Sequence, residues 1–210
     1  MTNFKVGEAK DYVGGISNPS KMPCESTNLD AKICNVGGKL RLVTGSVCNG
    51  CYALKGNYVK YAKNIDPAMA RRLEAIRKPR WVEAMAVITG RNPYFRWHDS
   101  GDIQDMQHLI RIVAVAMLTP QTKHWIPTRE YALVAKYKRL GGIIPQNLVL
   151  RQSAPMIDGM LPERVGLSSM VVTKPVPDVH LCPASQQGGK CLDCRACWDV
   201  TNLRIQYPKH

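Results

Sequence analysis

Eight cysteines carry most of the chemistry that this 210-residue chain can do. The densest set is Cys191-Leu-Asp-Cys194-Arg-Ala-Cys197, with Cys182-Pro183 just upstream. Two successive C-x2-C spacings match the opening of the bacterial ferredoxin run. A loop of this spacing can wrap a cubane and set three thiolates on three irons, with Cys182 supplying the fourth. Zinc is the competing ion, although structural zinc sites favour two knuckles separated by a longer spacer.

A second set lies near the other end. Cys48-Asn-Gly-Cys51 is a C-x2-C knuckle whose Asn-Gly suits a tight turn. Cys34 precedes it across Val36-Gly37-Gly38, and Cys24 lies ten residues earlier still. Three or four thiolates can meet here, or Cys48 and Cys51 can form a dithiol redox pair. One cluster drawing on both ends is a further arrangement. The expected metal ligands are Cys34, Cys48, Cys51, Cys182, Cys191, Cys194 and Cys197, and Cys24 has no assigned role. The cofactor expected is a [4Fe–4S] cluster, one or two per chain, with zinc as the alternative.

The opening MTNFKVGEAKDY has no apolar core of a secretory signal, and no apolar run nears the ~18 residues of a membrane span. The expected location is therefore cytoplasmic. In that reducing compartment clustered cysteines serve metal or redox chemistry more often than disulfides.

A polar motif, Arg96-Trp97-His98-Asp99-Ser100-Gly101-Asp102, falls where a strand should give way to a helix. Ligands of parallel α/β folds bind at the carboxyl ends of strands. His98, Asp99, Ser100 and Asp102 are therefore candidate cofactor-binding residues. Ser100-Gly101 is placed to open a helix N-terminus, which favours anions. Two later strand ends, Thr128-Arg129-Glu130 and Arg151-Gln152-Ser153, add Arg129 and Arg151. Each polar end read alone is equally a helix cap, and repetition at three strand ends favours a site. Arg96, Trp97, His108 and His124 read as packing residues. No residue is assigned a catalytic role.

The elements that must position these groups alternate. A helix is expected from 66, with Asp66 as cap and Pro67 at its first position, divided at Pro79 from a second helix. Strands are expected at Tyr94–His98, Lys123–Pro127, Leu148–Gln152 and Ser168–Val172. Helices lie between them, one carrying Ile103, Met106, Leu109, Ile110, Val113 and Met117 on one face. Strands alternating with helices mean a parallel sheet. The reading is one α/β domain, a partial parallel (β/α) barrel-like sheet over 66–172. Cysteine-rich, loop-like segments that bind metal flank it at 1–60 and 178–210.

Twenty-nine Lys and Arg against 16 Asp and Glu leave a net charge of +13. Such an excess favours polyanions, so nucleic acid is one candidate partner and a host protein another. The basic residues are scattered, which equally suits a plain soluble surface.

Taken together, Met22-Pro23-Cys24, the stretch from Gly45 to Gly56, FRWHDSGD (95–102), IPTREY (126–131), LRQSAP (150–155) and CxxCRACWD (191–199) resemble the bacteriophage gene product 88 family. That resemblance covers most of the chain. It implies a phage-encoded protein of the infected cell's cytoplasm, expected to carry iron–sulfur. The architecture is also similar to the radical S-adenosylmethionine enzymes, where an acidic turn after the second strand binds the cofactor's amino group. Asp102 would be the counterpart here. The C-x3-C-x2-C loop usual in those enzymes is absent, and Cys34-x13-Cys48-x2-Cys51 stands in its place.

Three functions follow. The leading one is a non-radical iron–sulfur protein with a redox, sensing or host-interaction role. The second is a radical S-adenosylmethionine-like enzyme. There Cys34, Cys48 and Cys51 hold a cluster with an open iron, Asp99 and Asp102 grip the cofactor, and the C-terminal cysteines hold an auxiliary centre. The third is a zinc-stabilised nucleic-acid-binding protein.

Overall fold

The computed structural model describes residues 4–209. Its elements in chain order are α1 (Val6–Tyr12), α2 (Asn35–Leu40), α3 (Asn57–Lys60), α4 (Ala62–Ala75), α5 (Trp81–Thr89), β1 (Tyr94–Arg96), α6 (Met106–Leu118), β2 (Lys123–Thr128), α7 (Tyr131–Arg139), β3 (Leu148–Ser153), β4 (Ser168–Val172), β5 (His180–Leu181) and β6 (Arg204–Pro208). The six strands form one all-parallel sheet in the order β1-β2-β3-β4-β6-β5, curled into a half-barrel.

The four expected strands are present, each within two residues of its expected end. β5 and β6 lie where only loop was expected. Gln206 explains why: a polar residue in mid-strand, it is buried because its side chain makes three main-chain bonds. Its Nε2 donates to the carbonyls of Val176 and Val179, and its Oε1 accepts from Val176 N–H, all at 2.8 Å. A seventh segment extends the sheet without being a regular strand. Residues 25–29 run parallel beside β1, exchanging main-chain bonds with Arg96, Asp99 and Ser100.

Two helix starts differ from expectation. α4 begins at Ala62, so Pro67 sits inside it and Asp66 does not cap it. Pro67 is the sixth residue of α4, past the first turn, so its missing N–H removes the helical bond to the Lys63 carbonyl. α6 begins at Met106, capped by Asp105, whose Oδ1 accepts from His108 N–H at 2.7 Å. Ser100 and Gly101 therefore do not open that helix.

Strand alternation sorts the side chains to two faces. Phe95, Ile126, Leu148 and Leu150 face the helices, with Trp81, Met85, Leu109 and Ile112 packed over them. Arg96, Trp125, Val149 and Arg151 belong to the inner face, with Arg96 paired to Trp125 and Trp125 to Val149 in register. The cysteine-rich ends cover this inner face: Met22, Cys24 and Trp198 are buried there, with Cys191 and Cys197 against them. An all-parallel sheet needs cover on both faces, and here the ends provide the inner one.

Gly101 fixes how the segment 25–29 meets the β1 end. Its φ is +82°, and a Cβ there would stand 2.6 Å from Leu29 Cβ and 2.9 Å from the Leu29 carbonyl oxygen. Gly101→Ala should therefore cost about 2–4 kcal/mol, from a left-handed non-glycine residue plus the clash. Urea unfolding measures this, and an unchanged midpoint would contradict the close approach.

Candidate metal centres

The cysteines fall into two groups, on different sides of Arg96. Cys34 follows the 25–29 segment through a turn capped by Asp30, whose Oδ1 accepts from Lys32 N–H at 2.8 Å. It then caps α2. Gly37 on that helix leaves room for the sulfurs. A Cβ there would stand 3.0 Å from Cys34 Cβ, 3.5 Å from Cys48 Sγ and 3.7 Å from Cys34 Sγ. Burial pushes the Cys34 thiol up to about 12, and Asp102, Cys51, Cys48 and Glu130 push the same way. Cys48 is also raised, by burial first, while Arg129 and Arg41 oppose. Cys34 and Cys48 thus lie side by side at Gly37, and both feel the charges of Cys51 and of Asp102 beyond the β1 end.

Three side chains tie this region to the sheet. Asp102 is buried, and its carboxylate accepts from Ile103 N–H at 2.8 Å, Thr128 Oγ1 at 2.6 Å and Arg129 N–H at 2.9 Å. Glu130 Oε1 accepts from Val36 N–H at 3.0 Å, pinning the start of α2 beside Cys34. Arg129 donates to the Ala154 carbonyl at 3.3 Å. Ser100 donates to the Leu29 carbonyl at 2.8 Å. Asp99 Oδ1 is buried and has no hydrogen-bond partner among the described residues. Both nitrogens of His98 are likewise buried without partners, on a residue held at φ +57°. Asp102 and Arg129 thus lie within electrostatic reach of the Cys34 and Cys48 thiols. Ser100 serves the fold, and His98 lies on the helix side, its ring 5.2 Å from that of His108.

The second group sits on the inner face. Cys191, Cys194 and Cys197 lie in a loop, with Cys182 close to Cys191 and Cys197. Cys197 Sγ is 3.3 Å from Tyr207 Oη, and Cys194 Sγ is 3.6 Å from His180 Nε2. Cys24 belongs here too, although sequence order sets it with Cys34. Cys191 N–H donates to the Lys21 carbonyl at 2.8 Å, drawing the Met22-Pro23-Cys24 turn against the loop. Burial pushes Cys24 up to about 12 and Cys197 to about 11.

Two arginines stand under these thiols. Arg151 is completely buried and donates to four carbonyls, those of Ser168, Asn202, Leu203 and Asp199, at 2.9–3.3 Å. Arg151 thus clamps the C-terminal segment onto the sheet. Arg96 lies 4.6 Å from the Trp125 ring centroid and donates to Met22 Sδ. Cys197 is near enough to favour the charge of both arginines. Neither forms an ion pair with a carboxylate among the described residues. Nε of each, and Trp125 Nε1, is buried without a partner there. No three His, Cys, Asp or Glu side chains among the described residues form a group that could hold a single metal ion.

The gene product 88 family model matches residues 2–200. The chain belongs to the gene product 88 family. No curated protein matches it, and no solved structure does. Among the described residues no helix is long and apolar enough to cross a membrane. Reading the sequence alone missed four groups of this gene product 88 site: Glu130, Tyr207, the inner-face role of Arg96, and the place of Cys24. Only Glu130 left a signal, as the acid ending Thr128-Arg129-Glu130.

Arg151→Met should lower stability by about 3 kcal/mol, because four carbonyls lose one donor together, although that of Leu203 keeps another, from Ser168 N–H. A thermal melt within 1 °C of wild type would remove Arg151 as the clamp. The buried acids and histidines oppose each other in the metal-free chain. Burial raises Asp99 and Asp102 to about 6, so each contributes stability that is present below about pH 4 and lost by pH 6. Burial lowers His108 and His124 to about 4 and His98 well below its usual range. Each histidine contributes stability that is present above about pH 6.5 and lost as pH falls towards 4. Asp99→Asn removes one opposing group, so its melting temperature should rise more steeply than wild type from pH 4 to 6. A flatter rise would reverse the sign assigned to Asp99.

Proposed function

We propose that this chain is an iron–sulfur protein with two centres, and that the one at the half-barrel mouth is of the radical S-adenosylmethionine type. The observation that carries this reading is the position of Cys34, Cys48 and Cys51. Cys34 comes five residues after the extended segment beside β1, Cys48 lies beside Cys34 at Gly37, and Asp102 and Arg129 bear on these thiols electrostatically. Three thiolates leave one iron of a cubane without a protein ligand. This changes the balance between the functions read from the sequence, where a fully ligated, non-radical cluster led. A cubane sets its thiolates on separate irons, so its ligands need not close on one point as those of a single ion do.

The inner face suits a closed cluster. Its two arginines are buried beside thiols and form no ion pair with a carboxylate among the described residues, and buried charge requires a counter-charge. A cubane with four thiolates, carrying about −2, would balance them. Cys182, Cys191, Cys194 and Cys197 would hold it, with Tyr207 Oη and the arginines as hydrogen-bonding surroundings that raise its potential.

Bound at the mouth, the cofactor would supply one-electron reductive cleavage chemistry. The protein's own part is positional. Asp102 fixes the Arg129 main chain, Glu130 fixes the cysteine loop, and Arg129 places a guanidinium beside Cys48 for a ligand carboxylate. Asp99 Oδ1 offers an unused acceptor for an ammonium or hydroxyl.

Low-temperature EPR of the reduced, anaerobically loaded protein tests this reading. Adding S-adenosylmethionine should change the spectrum of one centre, and Cys51→Ser should abolish that change while leaving the other centre's signal. An iron-loaded wild type whose spectrum ignores the addition would return the protein to the non-radical class.

A further inference from the structure

Residues 31–65 surround the mouth and carry Lys32, Lys39, Arg41, Lys55, Lys60 and Lys63 with no Asp or Glu. The chain has 16 acids in 210 residues, so a stretch of 35 would ordinarily hold two or three. The stretch folds into one continuous face. The turn Ala31–Ile33 packs on α2 and on Tyr52–Leu54, which packs on α3, which packs on α4. Lys32 is paired, at 3.7 Å, with Asp66 on the rim; Lys39, Lys55, Lys60 and Lys63 are exposed and enter no ion pair among the described residues.

Two aromatic rings stand among these cations. Tyr61 is 47% exposed, with Lys60 Nζ 5.3 Å from its ring centroid. Tyr52 is 60% exposed although its hydroxyl is held by the Asp99 carbonyl. Its ring is thus fixed in place at the mouth, one residue from Cys51. An exposed ring fixed at its polar end is a stacking platform. Cations that follow a backbone, together with rings that accept any base, are what single-stranded nucleic acid requires. The helices that lie wholly within the stretch, α3 and α2, are four and six residues long, too short to lay an apolar stripe on a membrane.

We propose that this face binds single-stranded nucleic acid and presents an unstacked nucleotide to the mouth. The proposal rests on the reading of the mouth as an active centre, and names its substrate class. Phosphates lie along Lys55, Lys60 and Lys63, and bases stack on Tyr61 and Tyr52. A duplex does not serve, because a base reaches an enclosed centre only out of its stack.

The test is fluorescence anisotropy of labelled single-stranded DNA and RNA oligonucleotides with the full, iron-loaded chain across a salt series. Log affinity should fall linearly with log salt, with a slope of about −2 for three phosphates. The triple variant Lys55→Glu, Lys60→Glu, Lys63→Glu should lose most of that slope and at least about a hundredfold in affinity at low salt. Tyr61→Ala should weaken binding about tenfold and leave the slope unchanged. Iron content of each sample, measured alongside, separates the two readings. An iron-loaded wild type that binds no oligonucleotide, or a triple variant that binds as well as wild type, overturns the proposal and leaves the centres standing. Binding to phosphatidylglycerol vesicles without binding to oligonucleotide overturns it in favour of a lipid surface. Oligonucleotide binding by a chain that loads no iron upholds the face and removes the proposed chemistry.

Discussion

The half-barrel depends on one buried guanidinium. Arg151 projects from β3 into the inner face and holds four carbonyls of the strand and segment that follow. Without it residues 199–203 keep only the bond from Ser168 N–H to the Leu203 carbonyl at this point, and the loop bearing Cys191, Cys194 and Cys197 loses part of its floor. A cation buried this deeply is tolerated because its two terminal nitrogens donate to main-chain acceptors. Its charge remains, and Arg96 adds a second beside it. That positive field links the fold to the chemistry, since the groups standing over it are thiols, which a bound metal would hold as thiolates.

The same logic divides the molecule into two ends of unlike character. On the inner face the thiols are packed among Trp125, Trp198 and Tyr207, and the surroundings are closed. Near the strand ends Cys34 and Cys48 feel the charges of Asp102, Glu130 and Arg129, and the residues 31–65 that carry them are basic and partly exposed. One arrangement suits a stable centre that is held and tuned. The other suits a centre that meets a ligand. Arg96 lies between them, near Tyr52 and Asp99 on one side and Cys197 on the other.

Much of this was legible in the residues. The four central strands followed from short apolar runs between amphipathic helices. The polar strand ends marked the mouth, although Asp102 proves to be fully engaged in positioning and Ser100 in holding Leu29. What the sequence hid has a common physical cause. Gln206 and Arg151 are polar residues made compatible with burial by main-chain partners far away in sequence. A pattern of polar and apolar letters cannot report such partners. The placement of Cys24 was hidden for the same reason, because a single bond from Cys191 to the Lys21 carbonyl decides it. The segment 25–29 lacks the alternation of a strand, yet it sets the cysteine loop immediately after a parallel run.

Iron and acid-labile sulfide per chain, determined on anaerobically purified protein, test the central claim of two separate centres most directly. The account predicts about eight irons and eight sulfides, falling to about four of each when Cys34, Cys48 and Cys51 are all replaced by serine. Zinc without sulfide, or an iron content that those replacements leave unchanged, would contradict it.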